Sequence, residues 1–202
     1  LALSAAGCVV SEKPSGTETS AVSATEPGNN SAADAGRTDD SKNASIVVND
    51  MTGREVRLDA PAERIVVLDS ADCEILYAIG AGNKIVGRGE YCDYPEEVNA
   101  VPSVQSGSET NIEQIIALEP QIVIMTKMGQ SLEQVEALEN AGIKVFASDA
   151  QKIEDVYTAI ELIGIITGHN NEAASVIDDM KKAFSDIKNK VDSILECWFP
   201  GT

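Results

Sequence analysis

The stretch RIVVLDSADCEILYAIGAGNKIVGRG, residues 64–89, sets the architecture. Its two ends, RIVVLD (64–69) and KIVGRG (84–89), are short and almost continuously apolar, as strands buried on both faces must be. Between them SADCEILYAIGAG spaces its apolar residues as a helix does, and Gly80 and Gly82 close it. A strand, a helix and a second apolar strand in succession make a parallel unit with a right-handed crossover.

The same alternation continues downstream. NIEQIIALEP (111–120) is helical, with Ile112, Ile115, Ile116 and Leu118 largely on one face, and stops at Pro120. QIVIMT (121–126) is a third strand, QSLEQVEALENAG its helix, KVFASD (144–149) a fourth strand, and KIEDVYTAIELIGIITG a helix ending at Gly168. Upstream, SIVVNDMTGREVRLDAP reads as a hairpin turning at Met51-Thr52-Gly53. The expected fold is α/β: an open, mostly parallel sheet flanked by helices, with an N-terminal β-hairpin. An antiparallel α+β domain would need strands with one polar face, which these lack.

Acids outnumber bases 33 to 15, a net charge of −18. Nucleic acid and anionic membrane both require a basic footprint, so neither is expected as a direct partner, whereas a neutral or cationic ligand is compatible. No run of eighteen apolar residues suggests a membrane span. The opening LALSAAGC has the form of the end of a lipoprotein signal peptide, with Cys8 as the lipid-bearing residue and Ala5 where the motif prefers Leu. Residues 9–45 follow as a polar tether. Over 11–45 the one large aliphatic is Val22, and more than half the residues are Ser, Thr, Gly, Pro or Asn. A coil of this length spans about 30 Å. Cys8 would thus be the membrane contact, and the folded head begins near Ser45.

In open α/β sheets ligands bind beyond the carboxyl ends of the strands. Those ends carry Asp69-Ser70-Ala71, Glu90-Tyr91-Cys92-Asp93-Tyr94, Lys127-Met128-Gly129 and Ala150-Gln151. The chain has four tyrosines, and two of them, Tyr91 and Tyr94, stand within four positions here. A tyrosine offers a flat apolar surface and a hydroxyl at small entropic cost, which suits a rigid, bulky ligand. Tyr91 is read as a pocket residue, Tyr94 as packing under its own loop beside Pro95. Ser70, Tyr91, Lys127 and Met128 are the candidate ligand-binding residues. Cys73 and Cys92 follow successive strands and are expected as two separately packed thiols, although a bridge is chemically permitted outside the cytoplasm. His169 follows a helix-ending glycine and is read as solvated, and no metal-ligand spacing is present.

The succession RIVVLDSADCEILYAIGAGNKIVGRGEYCDYPEEV, NIEQIIALEPQIVIM and VEALENAGIKVF resembles the substrate-binding proteins of bacterial ABC importers for iron complexes and cobalamin, over roughly residues 46–192. The YCDYP block is most similar to the cobalamin binders, in which the tyrosine matching Tyr91 stands against the ligand. The resemblance implies two α/β lobes joined by one long helix, with the ligand between them. Residues 46–169 would be the N-terminal lobe. Residues 170–192 would be the interlobe helix, with Ala174, Ile177, Met180, Phe184, Ile187 and Val191 stepping by three or four. DSILECWFPGT has no β-α-β pattern, so 193–202 is read as an atypical tail with the second lobe missing. Such a chain is expected to bind its ligand at least tenfold more weakly than a two-lobed one and to self-associate. The implied ligand is a metal chelate (cobalamin, a ferric siderophore or haem) carried as cargo, with no cofactor. Lys127 would pair with an anionic chelate or stand as a solvated charge. The pocket tryptophans of the cobalamin binders do not recur in MTKMG or SVQSGSETN. The implied partners are an ABC permease and its ATPase subunits, with Glu113 in NIEQI docking on a permease arginine. The implied location is extracytoplasmic, lipid-anchored to the cell envelope. The competing reading is an enzyme acting on a nucleotide or sugar on a doubly wound sheet, though no acid, base and nucleophile gather at the strand ends.

Overall fold

The computed structural model describes residues 45–107, 109–127 and 131–198, with side chains as far as Ile194. Two strands, β1 (Ile46–Asn49) and β2 (Glu55–Leu58), pair antiparallel with Val48 opposite Val56. The buried Asp50 carboxylate organises their turn, accepting from Thr52 N (2.9 Å), Thr52 Oγ1 (2.7 Å) and Arg54 N (2.9 Å).

The main sheet has five strands, all parallel: β3 (Ile65–Val67), β4 (Ile85–Gly89), β5 (Ser103–Val104), β6 (Ile122–Thr126) and β7 (Lys144–Ser148), in the spatial order β5-β4-β3-β6-β7. The hairpin joins this sheet through Met51 N, which donates to Ala147 O at 3.1 Å. The helices are α1 (Ser70–Ala78), α2 (Ile112–Ala117), α3 (Leu132–Asn140), α4 (Ile153–Thr167) and α5 (Asn170–Trp198). The α/β architecture with its N-terminal hairpin is therefore as expected.

Successive strand residues point to opposite faces, and here both faces are covered. Ile65, Val67, Ile122, Ile124 and Phe146 share one core with Leu76 of α1 and Ile160, Ile163 and Ile166 of α4. Val66, Leu68, Val123, Met125 and Val145 share the other with Ile115 of α2 and Val135 and Leu138 of α3. Two apolar faces are why RIVVLD and QIVIMT read as unbroken apolar runs. Burying one such Ile, Leu or Phe contributes about 1.5–3 kcal/mol.

Three details depart from expectation. The two-residue β5 has no counterpart among the strands expected from the sequence. Ile116 is exposed at 40 %, leaving Ile115 as the buried anchor of α2. Helix α5 runs through Trp198, past the 192 boundary, so residues 193–198 are helical. Gly168, in the left-handed region at φ 75°, ends α4 and lets α5 turn back against it. Ile177 and Met180 pack against the core, whereas Phe184, Ile187, Val191 and Ile194 remain exposed on α5.

Candidate ligand-binding face

Strand order places a switch at β3. The chain steps outward from β3 to β4 and β5, then returns to the other side of β3 for β6 and β7. The crevice beyond such a switch, at the carboxyl ends of β3 and β6, is where open α/β sheets bind ligands. Asp69 and Ser70 follow β3, and Lys127 follows β6. Asp69 caps α1, its carboxylate accepting from Ala71 N at 3.1 Å.

The loop after β4 leans over this crevice. It starts close in because Gly89 has no side chain: a Cβ there would lie 2.6 Å from Leu68 O. Its backbone is then held at successive carbonyls. Ser70 Oγ donates to Tyr91 O at 2.6 Å, Arg88 Nη1 to Cys92 O at 3.0 Å, and Asn99 Nδ2 to Asp93 O at 3.4 Å. Cys92 N donates back to Gly89 O at 3.1 Å. Fixed in its main chain, the loop throws its aromatic side chains outward: Tyr91 is 76 % and Tyr94 66 % exposed. Tyr94 thus corrects the expectation that it packs under its own loop. With Pro95 it walls a groove of about 740 Å³ between α1, α4 and α5, floored by Ile75, Ile160 and Met180. Aromatic side chains on an anchored backbone lose little entropy on gripping a ligand.

Lys127 is not a free cation. Its Nζ pairs with Asp149 Oδ2 at 2.9 Å, and Lys127 together with the Gln151 amide holds the Asp149 carboxyl below its usual range. Asp149 follows β7, and only the β6–β7 pairing brings it beside Lys127. Beneath the face lies Asp72, 2 % exposed in the first turn of α1. Burial pushes its carboxyl up from 3.8 to about 7 and Asp69 adds to the rise, against a 2.7 Å hydrogen bond from Ser148 Oγ.

Of the expected site residues, Ser70 and Tyr91 meet directly, through the Tyr91 carbonyl; Ser70 positions the loop. Lys127 stands on the neighbouring strand end, and Met128 lies outside the described residues. Glu113 is exposed in the first turn of α2, which Asn111 caps. Cys8 and the tether lie outside the described residues. Cys73 and Cys92 are unbridged thiols, as expected, and both are buried in the same core cluster. His169, read as solvated, is half-buried, with Nδ1 3.0 Å from Thr167 O. Sequence reasoning missed Asp149 and Asp72. Among the described residues no group of three His, Cys, Asp or Glu side chains could hold a metal, and no helix is long and apolar enough to cross a membrane.

A family model described as periplasmic binding protein matches residues 65–196. The chain is 33 % identical over 152 residues to the uncharacterized ABC transporter substrate-binding lipoprotein YvrC of Bacillus subtilis (strain 168), covering 74 % of this chain and 48 % of that one. The structure of the periplasmic vitamin B12 binding protein BtuF of Vibrio cholerae aligns with a TM-score of 0.60 at 27 % identity, over 66 % of this chain and 52 % of that one. A periplasmic haem binding protein from Pseudomonas aeruginosa shares the fold, with a TM-score of 0.63 at 22 % identity over 67 % and 49 % of the two chains. The chain spans about half the length of the curated relatives it matches. The family model covers more than half of the chain and the solved structures share its fold, so the chain belongs to the periplasmic binding protein family.

Proposed function

We propose that this chain forms one lobe of an ABC-importer substrate-binding protein that captures a metal chelate outside the membrane and hands it to a permease worked by ATPase subunits. The observation that carries the reading is Tyr91: a 76 % exposed aromatic side chain on a backbone-anchored loop beside the sheet's switch point. Family membership supports a binding role over a catalytic one. The lipoprotein name of a relative supports anchoring through Cys8, with the head held extracytoplasmically by residues 9–45. Glu113 is proposed as the permease contact.

Cobalamin, haem and ferric siderophores all present broad, rigid, partly apolar surfaces. Charge ranks them. Glu90 and Asp93 are exposed around Tyr91, Lys127 is already paired with Asp149, and Arg88 is engaged by the Cys92 carbonyl. An anionic siderophore or a haem with two propionates must displace Asp149 or meet uncompensated carboxylates, whereas a neutral corrinoid meets neither penalty. Absorbance titration with cyanocobalamin, cobinamide, haem and a ferric siderophore panel tests this. Saturable spectral shifts with corrinoids at the lowest concentrations are expected; no saturable binding by any chelate would overturn the reading.

A further inference from the structure

Two thiols lie under the ligand-facing loop with no part in ligand capture. Cys73 sits in the first turn of α1, directly after β3, and Cys92 in the loop directly after β4, so pairing of these parallel strands brings them together. Both are fully buried in the same core cluster. Cys73 Sγ lies 4.0 Å from Tyr94 O in the loop that carries Cys92, and Cys92 Sγ lies 3.8 Å from Val67 O at the end of β3, the strand that leads into the helix carrying Cys73. Their ionisations are linked, the Cys73 thiol being pushed up and the Cys92 thiol down by the other's presence. The Cys92 loop is also the segment fixed by Ser70 and Arg88.

We propose that Cys73 and Cys92 form a disulfide-forming site, oxidised by thiol–disulfide exchange with an external disulfide, that staples the tyrosine-bearing loop to α1. Because both thiols are buried, exchange begins when the loop after β4 opens: the Cys92 thiolate then attacks a sulfur of the external disulfide, forming a mixed disulfide and releasing one thiolate. Cys73, on losing its proton, attacks the Cys92 sulfur, closes the intramolecular bond and releases the second thiolate. Two electrons and two protons leave the pair, and the external disulfide is reduced to two thiols. The bond closes a loop of about twenty residues, which constrains the unfolded chain and raises stability. The proposal draws on the function above only for the oxidising compartment. Bond formation needs no chelate, so the two readings fail separately.

The test uses the full chain with Cys8→Ser and Cys197→Ser, leaving this pair as its only cysteines. Fully reduced protein is incubated under native conditions with oxidised glutathione, then unfolded, alkylated and mapped by non-reducing peptide mass spectrometry. The expected result is a Cys73–Cys92 cross-linked peptide, loss of both alkylatable thiols, a raised Tm reversed by dithiothreitol, and slower amide exchange over residues 90–95. Two alkylated cysteines, separate glutathione adducts on each, or an oxidised form that melts below the reduced one would overturn the proposal.

Discussion

Tyr91 keeps its side chain in solvent while Ser70 clamps its carbonyl at 2.6 Å, an arrangement in which the backbone stores order and the ring is left for a partner. Tyr91→Ala is therefore expected to weaken chelate binding by about 1–3 kcal/mol without lowering thermal stability, as for loss of an aromatic anchor. Unchanged affinity in a folded variant, read by absorbance titration, removes Tyr91 from the site. Asp72 behaves oppositely, being wholly inside. Its carboxyl titrates at about 7 folded against an ordinary 3.8, so between those values the folded state binds more protons than the unfolded. Stability from the neutral form is fully present below 3.8 and declines as pH rises to about 7, a span on the order of 4 kcal/mol. Asp72→Asn should abolish that decline and be more stable than the parent at pH 8; urea titrations from pH 4 to 8 that show the same slope for both chains would contradict it. The place of Tyr91 beyond a strand end was legible because its position after an apolar run is a one-dimensional fact. The Lys127–Asp149 pair was not, since residues 22 apart become neighbours only through β6–β7 pairing, and neither was Asp72, whose burial depends on where Ser148 arrives.

At the scale of elements, strands long enough to cross the core announce themselves and short ones do not. RIVVLD, KIVGRG, QIVIMT and KVFASD each form a strand because both faces bury apolar side chains, but Ser103–Val104 pairs over only two residues and buries only Val104, too little for a periodic signal. Strand order was equally hidden: nothing in the spacing says that β6 returns to the far side of β3. Helix α5 was legible as a helix from its apolar steps of three and four, whereas its end was placed at 192 although Ile194 continues the step from Val191. The loop after β4 depends on Gly89, where any Cβ meets the Leu68 carbonyl. Gly89→Ala must push β4 away from β3 and is expected to lower stability by about 1–3 kcal/mol and to weaken chelate binding as well. Urea denaturation and the same ligand titration check it; a variant unchanged in both would show that the loop does not need this close approach.

For the molecule as a whole, the net charge of −18 and the placement of exposed carboxylates bear on partners more than on fold. Glu113 projects from the first turn of α2, away from the buried Ile115. Glu113→Lys is expected to leave chelate affinity unchanged while reducing uptake in cells carrying the cognate importer, because an exposed contact to a permease arginine is lost without disturbing the crevice. Normal uptake by that variant would exclude the docking role. The central claim is that the carboxyl-end face around β3, β4 and β6 is where the chelate lies. Oxidative footprinting of the purified chain, with and without a saturating corrinoid or whichever chelate of the panel binds, reads that face directly. The account predicts protection of Tyr91 and Tyr94 with Phe184 and Ile187 unchanged; protection that spares Tyr91 while falling on the far half of α5 would contradict it.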